Sequence, residues 1–231
     1  KAIKYSNKNK LLSKKIGDIA MFQHTLMDLG QFYSLINIDS SIHYNTLSLE
    51  LAQEFQDKPS ILASYVNFTV TYVNKGNYEK ALIYCDFAME LFEDYGKRGK
   101  AHILNNFGIV HLRKKEYNKA IEYFDKAHKI IEEINLGDEA RHWNVPLRLL
   151  TYKKLGKKYD ENEIYKLIRN HQHFEMEPNY YIYQILEDIS FLETAYNQVQ
   201  EKADNLEPDV AAKFLSYPIP KAIVEEWEKV K

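Results

Sequence analysis

The segment Gly76-Asn77-Tyr78-Glu79-Lys80-Ala81-Leu82-Ile83-Tyr84-Cys85-Asp86-Phe87-Ala88 returns in outline as Lys115-Glu116-Tyr117-Asn118-Lys119-Ala120-Ile121-Glu122-Tyr123-Phe124-Asp125-Lys126-Ala127, 39 residues later. Self-similarity at a period of roughly 20–50 residues marks a chain built from one supersecondary unit stacked on copies of itself. Just upstream, Leu104, Phe107 and His111 lie at i, i+3, i+7 around Gly108, and Tyr65, Phe68 and Tyr72 take the same places around Thr69. Each set is one stripe of a helix. Inside the quoted segments Ala81, Cys85 and Ala88, and likewise Ala120, Phe124 and Ala127, form a stripe at i, i+4, i+7. Each unit is therefore a helix, a turn and a second helix. Gly76 stands where a C′ glycine ends the first helix. The small residues Gly108, Ala81, Ala88, Ala120 and Ala127 mark the helix crossings, because axes about 8–10 Å apart leave little room for side chains.

A weaker copy precedes these, with Leu29-Gly30 and Tyr33 in its first helix and Ser41, Tyr44 and Ser48 in its second. Its turn, Ile36-Asn37-Ile38-Asp39, is one residue short. The cadence persists through Ser48, Ala88 and Ala127. Pro59, after Asp57-Lys58, sits where proline starts a helix. Downstream, Ala140 to Leu155 reads as a helix ended at Gly156, with Pro146 as an internal kink or break, and Asp160 to Arg169 as its partner. Pro178 to about Leu206 reads as one long helix. Pro208, Pro218 and Pro220 divide the remainder into two short helices, the last with an apolar stripe of Ile223, Trp227 and Val230. The expected layout is an all-α solenoid of antiparallel helix pairs over residues 1–206, with units at about 17–57, 59–95, 98–135 and 138–172 plus the long helix 178–206. Residues 207–231 would cap the face that another repeat would have buried.

Charged residues make up 28% of the 231, with a net charge of −2, so the composition carries no global bias toward nucleic acid or anionic membrane. The lysines at 1, 4, 8, 10, 14 and 15 precede the first acid, Asp18, and read as a solvated helix face rather than a nucleic-acid site. Cys85 is the single cysteine, which excludes an intrachain disulfide and suggests a reducing, cytoplasmic setting. Uninterrupted apolar runs fall short of the roughly 18 residues that suggest a membrane span. The start, Lys1-Ala2-Ile3-Lys4-Tyr5-Ser6, reads as a piece of a longer protein.

The order of small residue, aromatic, turn, then Ala, aromatic, Ala over residues 62–92 and 101–131 resembles the tetratricopeptide repeat, whose pattern joins W-x2-L-G-x2-Y to A-x3-F. The tryptophan place holds Tyr65 and Leu104, His111 replaces a tyrosine, and the period exceeds the usual ~34, which longer helices and links such as Phe92 to Gly99 explain. The resemblance implies a right-handed superhelical array that binds a protein segment or peptide in a concave groove, without catalysis or cofactor. The stripe facing away from the packed one then lines that groove: Ala63, Asn67, Val70 and Asn74 in one unit, His102, Asn106, Ile109 and Arg113 in the next, with Leu112 adding apolar contact. An asparagine at the place of Asn67 and Asn106 often hydrogen-bonds the peptide backbone in this family, an amide offering donor and acceptor together; Asp28 is the first-unit counterpart. The family's lysine–asparagine clamp for a terminal carboxylate does not carry over, since Val66 and Asn105 occupy the lysine place.

Leu192-Glu193-Thr194-Ala195-Tyr196, Lys202 to Leu206, Phe214-Leu215, then Pro218 and the stretch from Ile223 to Trp227 resemble the end of the repeat region in large bacterial regulators that fuse an ATPase, kinase or cyclase module to such repeats. That resemblance implies a missing effector domain, and with it the alternatives of a ligand-sensing allosteric module or a self-association module working through the Trp227 helix or the first unit. Arg113, Arg141 and Arg148 could meet a carboxylate or phosphate on a partner. His171 and His173, at i, i+2, diverge on a helix and lack a third ligand, so a metal is not expected. Cys85 falls on the packed stripe and reads as core. A G-x-x-x-x-G-K-[ST] phosphate cradle is absent.

Overall fold

In the computed structural model, which describes residues 2–91, 96–171 and 173–231 apart from the side chains of residues 2–5, 14, 16, 138 and 139, every regular element is a helix. Lys1, Lys4 and Lys14 of the basic run, residues 92–95 of the first link and Gln172 between the two histidines fall outside that description. The helices are α1 (Ala2–Ile16), α2 (Ile19–Tyr33), α3 (Ile38–Glu54), α4 (Lys58–Asn74), α5 (Tyr78–Leu91), α6 (Gly96–Arg113), α7 (Tyr117–Glu133), α8 (Asp138–Lys154), α9 (Asn162–Asn170), α10 (Met176–Leu186), α11 (Ile189–Asp204), α12 (Pro208–Ser216) and α13 (Pro218–Val230). They fall into two compact units, Lys1–Tyr95 and Gly96–Lys231.

Helix starts follow from local chemistry. Asp18, Asn37 and Asp57 accept from the backbone N–H three residues on, at 2.9, 3.1 and 3.4 Å, which satisfies one of the orphan donors of a first turn. Asn77 does the same for Lys80 at 3.2 Å. The stops use left-handed residues. Gly76 has φ 76° and Gly156 has φ 64°, yet Lys115, in register with Gly76, adopts φ 62° with a side chain attached. The first pair turns without one: the Asn37 N–H closes onto the Tyr33 carbonyl at 2.7 Å, and Asn37 itself is extended at φ −153°. This is the short turn read from the sequence.

In the first unit α2, α3, α4 and α5 pack in sequence, burying Leu26, Leu29, Ala52, Phe68, Tyr72, Ala81, Cys85 and Ala88. Its interior is also polar. Ser41 Oγ meets the Gly30 carbonyl at 2.7 Å and Thr71 Oγ1 at 2.8 Å, and Asn45 Nδ2 donates to Thr71 Oγ1 at 3.1 Å. Ser48 and Ser64 pair at 3.4 Å. The packed residue of α3 is thus Asn45, 0% exposed, rather than Tyr44. Tyr44 lies beside it, stacked on Tyr33 at 5.5 Å and accepting from Lys10 Nζ at 3.2 Å.

The second unit runs through a core of Leu112, Ala120, Phe124, Val145, Leu149, Ile164, Leu167, Tyr181 and Ile182. A further core joins α10 to α13 through Met176, Leu192, Ala195, Val199, Phe214 and Ile223. Pro146 does not break α8, which is continuous around it; its missing N–H only deprives the His142 carbonyl of a helical partner. The expected helix 178–206 is two helices. Glu187 turns left-handed at φ 58°, and Asp188 caps α11 by accepting from Ser190 N at 3.0 Å and Ser190 Oγ at 2.7 Å. With no Gly or Pro at the break, a scan for helix breakers passes over it, whereas Asp188-Ile189-Ser190 carries the cap signal. In α13 Ile223 is fully buried and Trp227 stacks on Tyr196 at 5.3 Å. Val230, expected on the same stripe, is 39% exposed at the last turn of α13.

Candidate functional site

The three first helices of the repeats carry small or short residues at one register, and the structure shows what each faces. A Cβ added to Gly30 would lie 2.0 Å from Asn45 Oδ1, and one added to Gly108 would lie 2.5 Å from the Phe124 ring. Thr69 occupies the register between them and accepts from Cys85 Sγ at 3.7 Å. Asn45, Cys85 and Phe124 therefore plug successive crossings. Burial pushes the Cys85 thiol up to about 12, which keeps it protonated and without nucleophilic character.

With that face consumed in packing, the opposite stripes of α4 and α6 carry the expected binding residues, each described within its own unit. On α4, Asn67 and Val70 are half-buried, and Asn74 spends its amide on the Ser34 carbonyl at 3.0 Å. On α6, His102 is exposed, Asn106 is half-buried, and Ile109 is half-buried against the second-unit core. Leu112 is 8% exposed and belongs to that core, so it cannot supply the apolar contact expected of it. The cause is the width of the packed face: Val145 and Leu149 of α8 belong to the same core and extend it around this side of α6.

The arginines are also committed. Arg113 donates to Glu177 and to the Tyr181 hydroxyl, which itself donates to Glu177. Burial pushes the Tyr181 phenol well above its ordinary value, with the Arg113 charge opposing the rise. Arg148 donates to Glu163 and lies 3.6 Å from Asp125. Arg141 donates to Glu132 at 2.9 Å, and this bond holds the Glu132 carboxyl below its ordinary value. A guanidinium bridged to a carboxylate has part of its charge and of its donor fork committed within the fold, which weakens its pull on a partner's anion.

Asparagines divide in the same way. Asn144 Nδ2 reaches Asn105 Oδ1 at 3.1 Å and the Phe124 carbonyl at 3.2 Å, while His128 Nδ1 meets its Oδ1 at 3.1 Å. Asn179 bonds the Phe174 carbonyl at 2.9 Å. By contrast, the side-chain amides of Asn67 and Asn106 make no hydrogen bond among the described residues, although both are half-buried and occupy one register 39 residues apart. These two, with the half-buried Val70 and Ile109, are what the α4 and α6 stripes leave open to contact, whereas His102, though exposed, already interacts within the protein. Asn144 was not singled out from the sequence; its spacing of 39 from Asn105 was the available signal.

His142 stacks on Phe174 at 4.8 Å and lies 5.0 Å from the His171 ring. Burial, then the neighbouring His171, lowers the His142 pKa. Among the described residues, no group of three or more His, Cys, Asp or Glu is placed to hold a metal ion, and no helix is long and apolar enough to cross a membrane. Residues 60–133, spanning α4 to α7, match the family model of the tetratricopeptide repeat. No curated protein matches the chain.

Proposed function

From the tetratricopeptide repeats of residues 60–133, we propose that the chain is a peptide- or protein-binding scaffold in which Asn67 and Asn106 read the main chain of a bound segment. Repeats of this family generally mediate protein–protein interaction. The observation that carries the finer reading is the contrast between asparagines. Asn45, Asn74, Asn144 and Asn179 hold the fold with their side-chain amides, while Asn67 and Asn106 repeat in register with theirs unspent. A half-buried amide without a partner loses solvation, and a ligand backbone offering both C=O and N–H restores its hydrogen bonds. Val70 and Ile109, three residues on, add apolar area beside each amide. Arg113 and Asn74 support the surface from within and are not the reading groups. Attachment to an effector domain of a cytoplasmic bacterial regulator is the context we propose for this scaffold, on the resemblance of its C-terminal segment.

The test is a peptide selected against the intact chain by display and measured by fluorescence polarisation. Asn67→Ala with Asn106→Ala should lower its affinity about tenfold or more, as for two hydrogen bonds worth about 0.5–1.5 kcal/mol each, with an unchanged melting temperature. Equal affinity in the double variant would remove the backbone-reading role.

A further inference from the structure

Between the start of α10 and the last turns of α11 lies a cavity of about 380 Å³ lined by Glu175, Met176, Gln198, Glu201, Lys202, Asn205 and Leu206. The volume falls within the roughly 300–1,000 Å³ of small-molecule sites. Its polar lining is of two kinds. Gln198 is spent on structure, donating to the Phe174 carbonyl at 2.8 Å and accepting from Asn179 at 3.2 Å. Asn205 donates to the Glu201 carbonyl at 2.7 Å. The charged groups are not spent: among the described residues Lys202, Glu175 and Glu201 form no ion pair within 4 Å, although an ammonium and two carboxylates share one cavity.

Lys202 is the unusual member. Its stem is half-buried and its ammonium stands 6.0 Å from the centroid of Phe214, a ring with 0% exposure. Burial lowers its pKa, the charge of Glu175 opposing the fall. Partial burial weakens the solvation of this ammonium, the Phe214 ring offsets part of the loss, and an anion in the cavity would offset more. Met176 and Leu206 give the same cavity an apolar wall.

We infer that this cavity is a binding site for a small zwitterion, an apolar α-amino acid, whose carboxylate meets Lys202, whose ammonium meets Glu175 and Glu201, and whose side chain lies on Met176 and Leu206. The charges explain why a zwitterion fits better than a simple anion. A lone carboxylate or phosphate would meet Lys202 but leave Glu175 and Glu201, both exposed on the same lining, without a cation, which the ammonium of a zwitterion supplies. The site lies wholly within the second unit, away from Asn67 and Asn106, and does not depend on the peptide-binding reading.

The test uses the intact chain with L-methionine and L-leucine as probes, by thermal unfolding and titration calorimetry. N-acetyl-methionine, which lacks the ammonium, and methionine amide, which lacks the carboxylate, serve as arms. Methionine or leucine should raise the melting temperature with the logarithm of concentration above Kd, by roughly 3–5 °C at ten times Kd, and titrate to saturation in the calorimeter. Both truncated analogues should bind at least tenfold more weakly. Lys202→Met, which keeps the stem over Phe214, should abolish the shift without lowering the melting temperature of the unliganded chain. No heat and no shift from either amino acid at 10 mM would overturn the inference, as would equal binding of N-acetyl-methionine or equal binding by the Lys202→Met variant. Glu175→Gln gives a second check, since it should weaken methionine and leave N-acetyl-methionine unchanged or tighter.

Discussion

Replacing Gly108 by alanine tests the close helix approach that the repeat pattern is built around. The new Cβ would stand 2.5, 2.6 and 2.9 Å from Cε1, Cδ1 and Cζ of Phe124. Carbon atoms at rest prefer about 3.5–4.0 Å, so the ring or the helix must retreat by about 1 Å. The ring has little freedom to do so, because Phe124 is 0% exposed among Leu112, Ala120 and Val145, and its carbonyl is held by Asn144. Overpacking of this kind costs about 1–3 kcal/mol. Alanine returns about 1 kcal/mol through its greater helix propensity. The net expectation is a loss of roughly 1 kcal/mol, or about 2–4 °C in melting temperature. Urea unfolding followed by far-ultraviolet circular dichroism measures it, with Phe124→Leu and the Gly108→Ala/Phe124→Leu pair completing a double-mutant cycle. The pair should be less destabilised than the sum of the single variants, since the smaller side chain makes room for the methyl group. A single Gly108→Ala variant that is more stable than the parent would show propensity alone at work and refute the close approach, as would strict additivity in the cycle.

Lys115→Gly should stabilise by about 0.5–1 kcal/mol, because Lys115 holds φ 62° where the equivalent turn uses Gly76, and a side chain in that region carries a strain that glycine lacks; an unchanged or lower urea midpoint would contradict this. Stability should be level above about pH 6.5 and fall as pH drops below it, because burial lowers the folded-state pKa of His128 and His142 beneath their ordinary 6.5, so the unfolded chain takes up these protons first. His142→Phe, which preserves the stack on Phe174, should flatten part of that slope in urea midpoints measured between pH 7 and 5, and an unaltered slope would show that His142 titrates alike in both states.

Much of the fold was legible because its determinants are local. The stripes of Ala81 and Ala120, the helix start at Pro59 after Asp57-Lys58, and the glycine stops at Gly76 and Gly156 each depend on residues within one or two turns. The break at Glu187 escaped because no glycine or proline marks it, and Glu187, like Lys115, takes a left-handed φ with a long side chain attached. Leu112 was misplaced because a stripe drawn on one helix does not reveal how wide a face its neighbours cover, and here Val145 and Leu149 of α8 extend the core around it. The three arginines could be recognised as anion-seeking, but their partners could not. Glu177 lies 64 residues from Arg113, and Glu163 lies 15 from Arg148.

The order of residues alone dictates an array of helix pairs, the packed stripes of α5 and α7, and the places where small residues must stand. Those properties rest on the helical period and on steric volume, and both are written in neighbouring residues. Which polar side chains are already spent is set by how the helices pack in three dimensions. Asn74, Asn144, Arg113 and Arg148 look as available in the chain as Asn67 and Asn106 do, and they differ because a hydrogen bond or ion pair depends on which distant group the packed helices bring within about 3 Å.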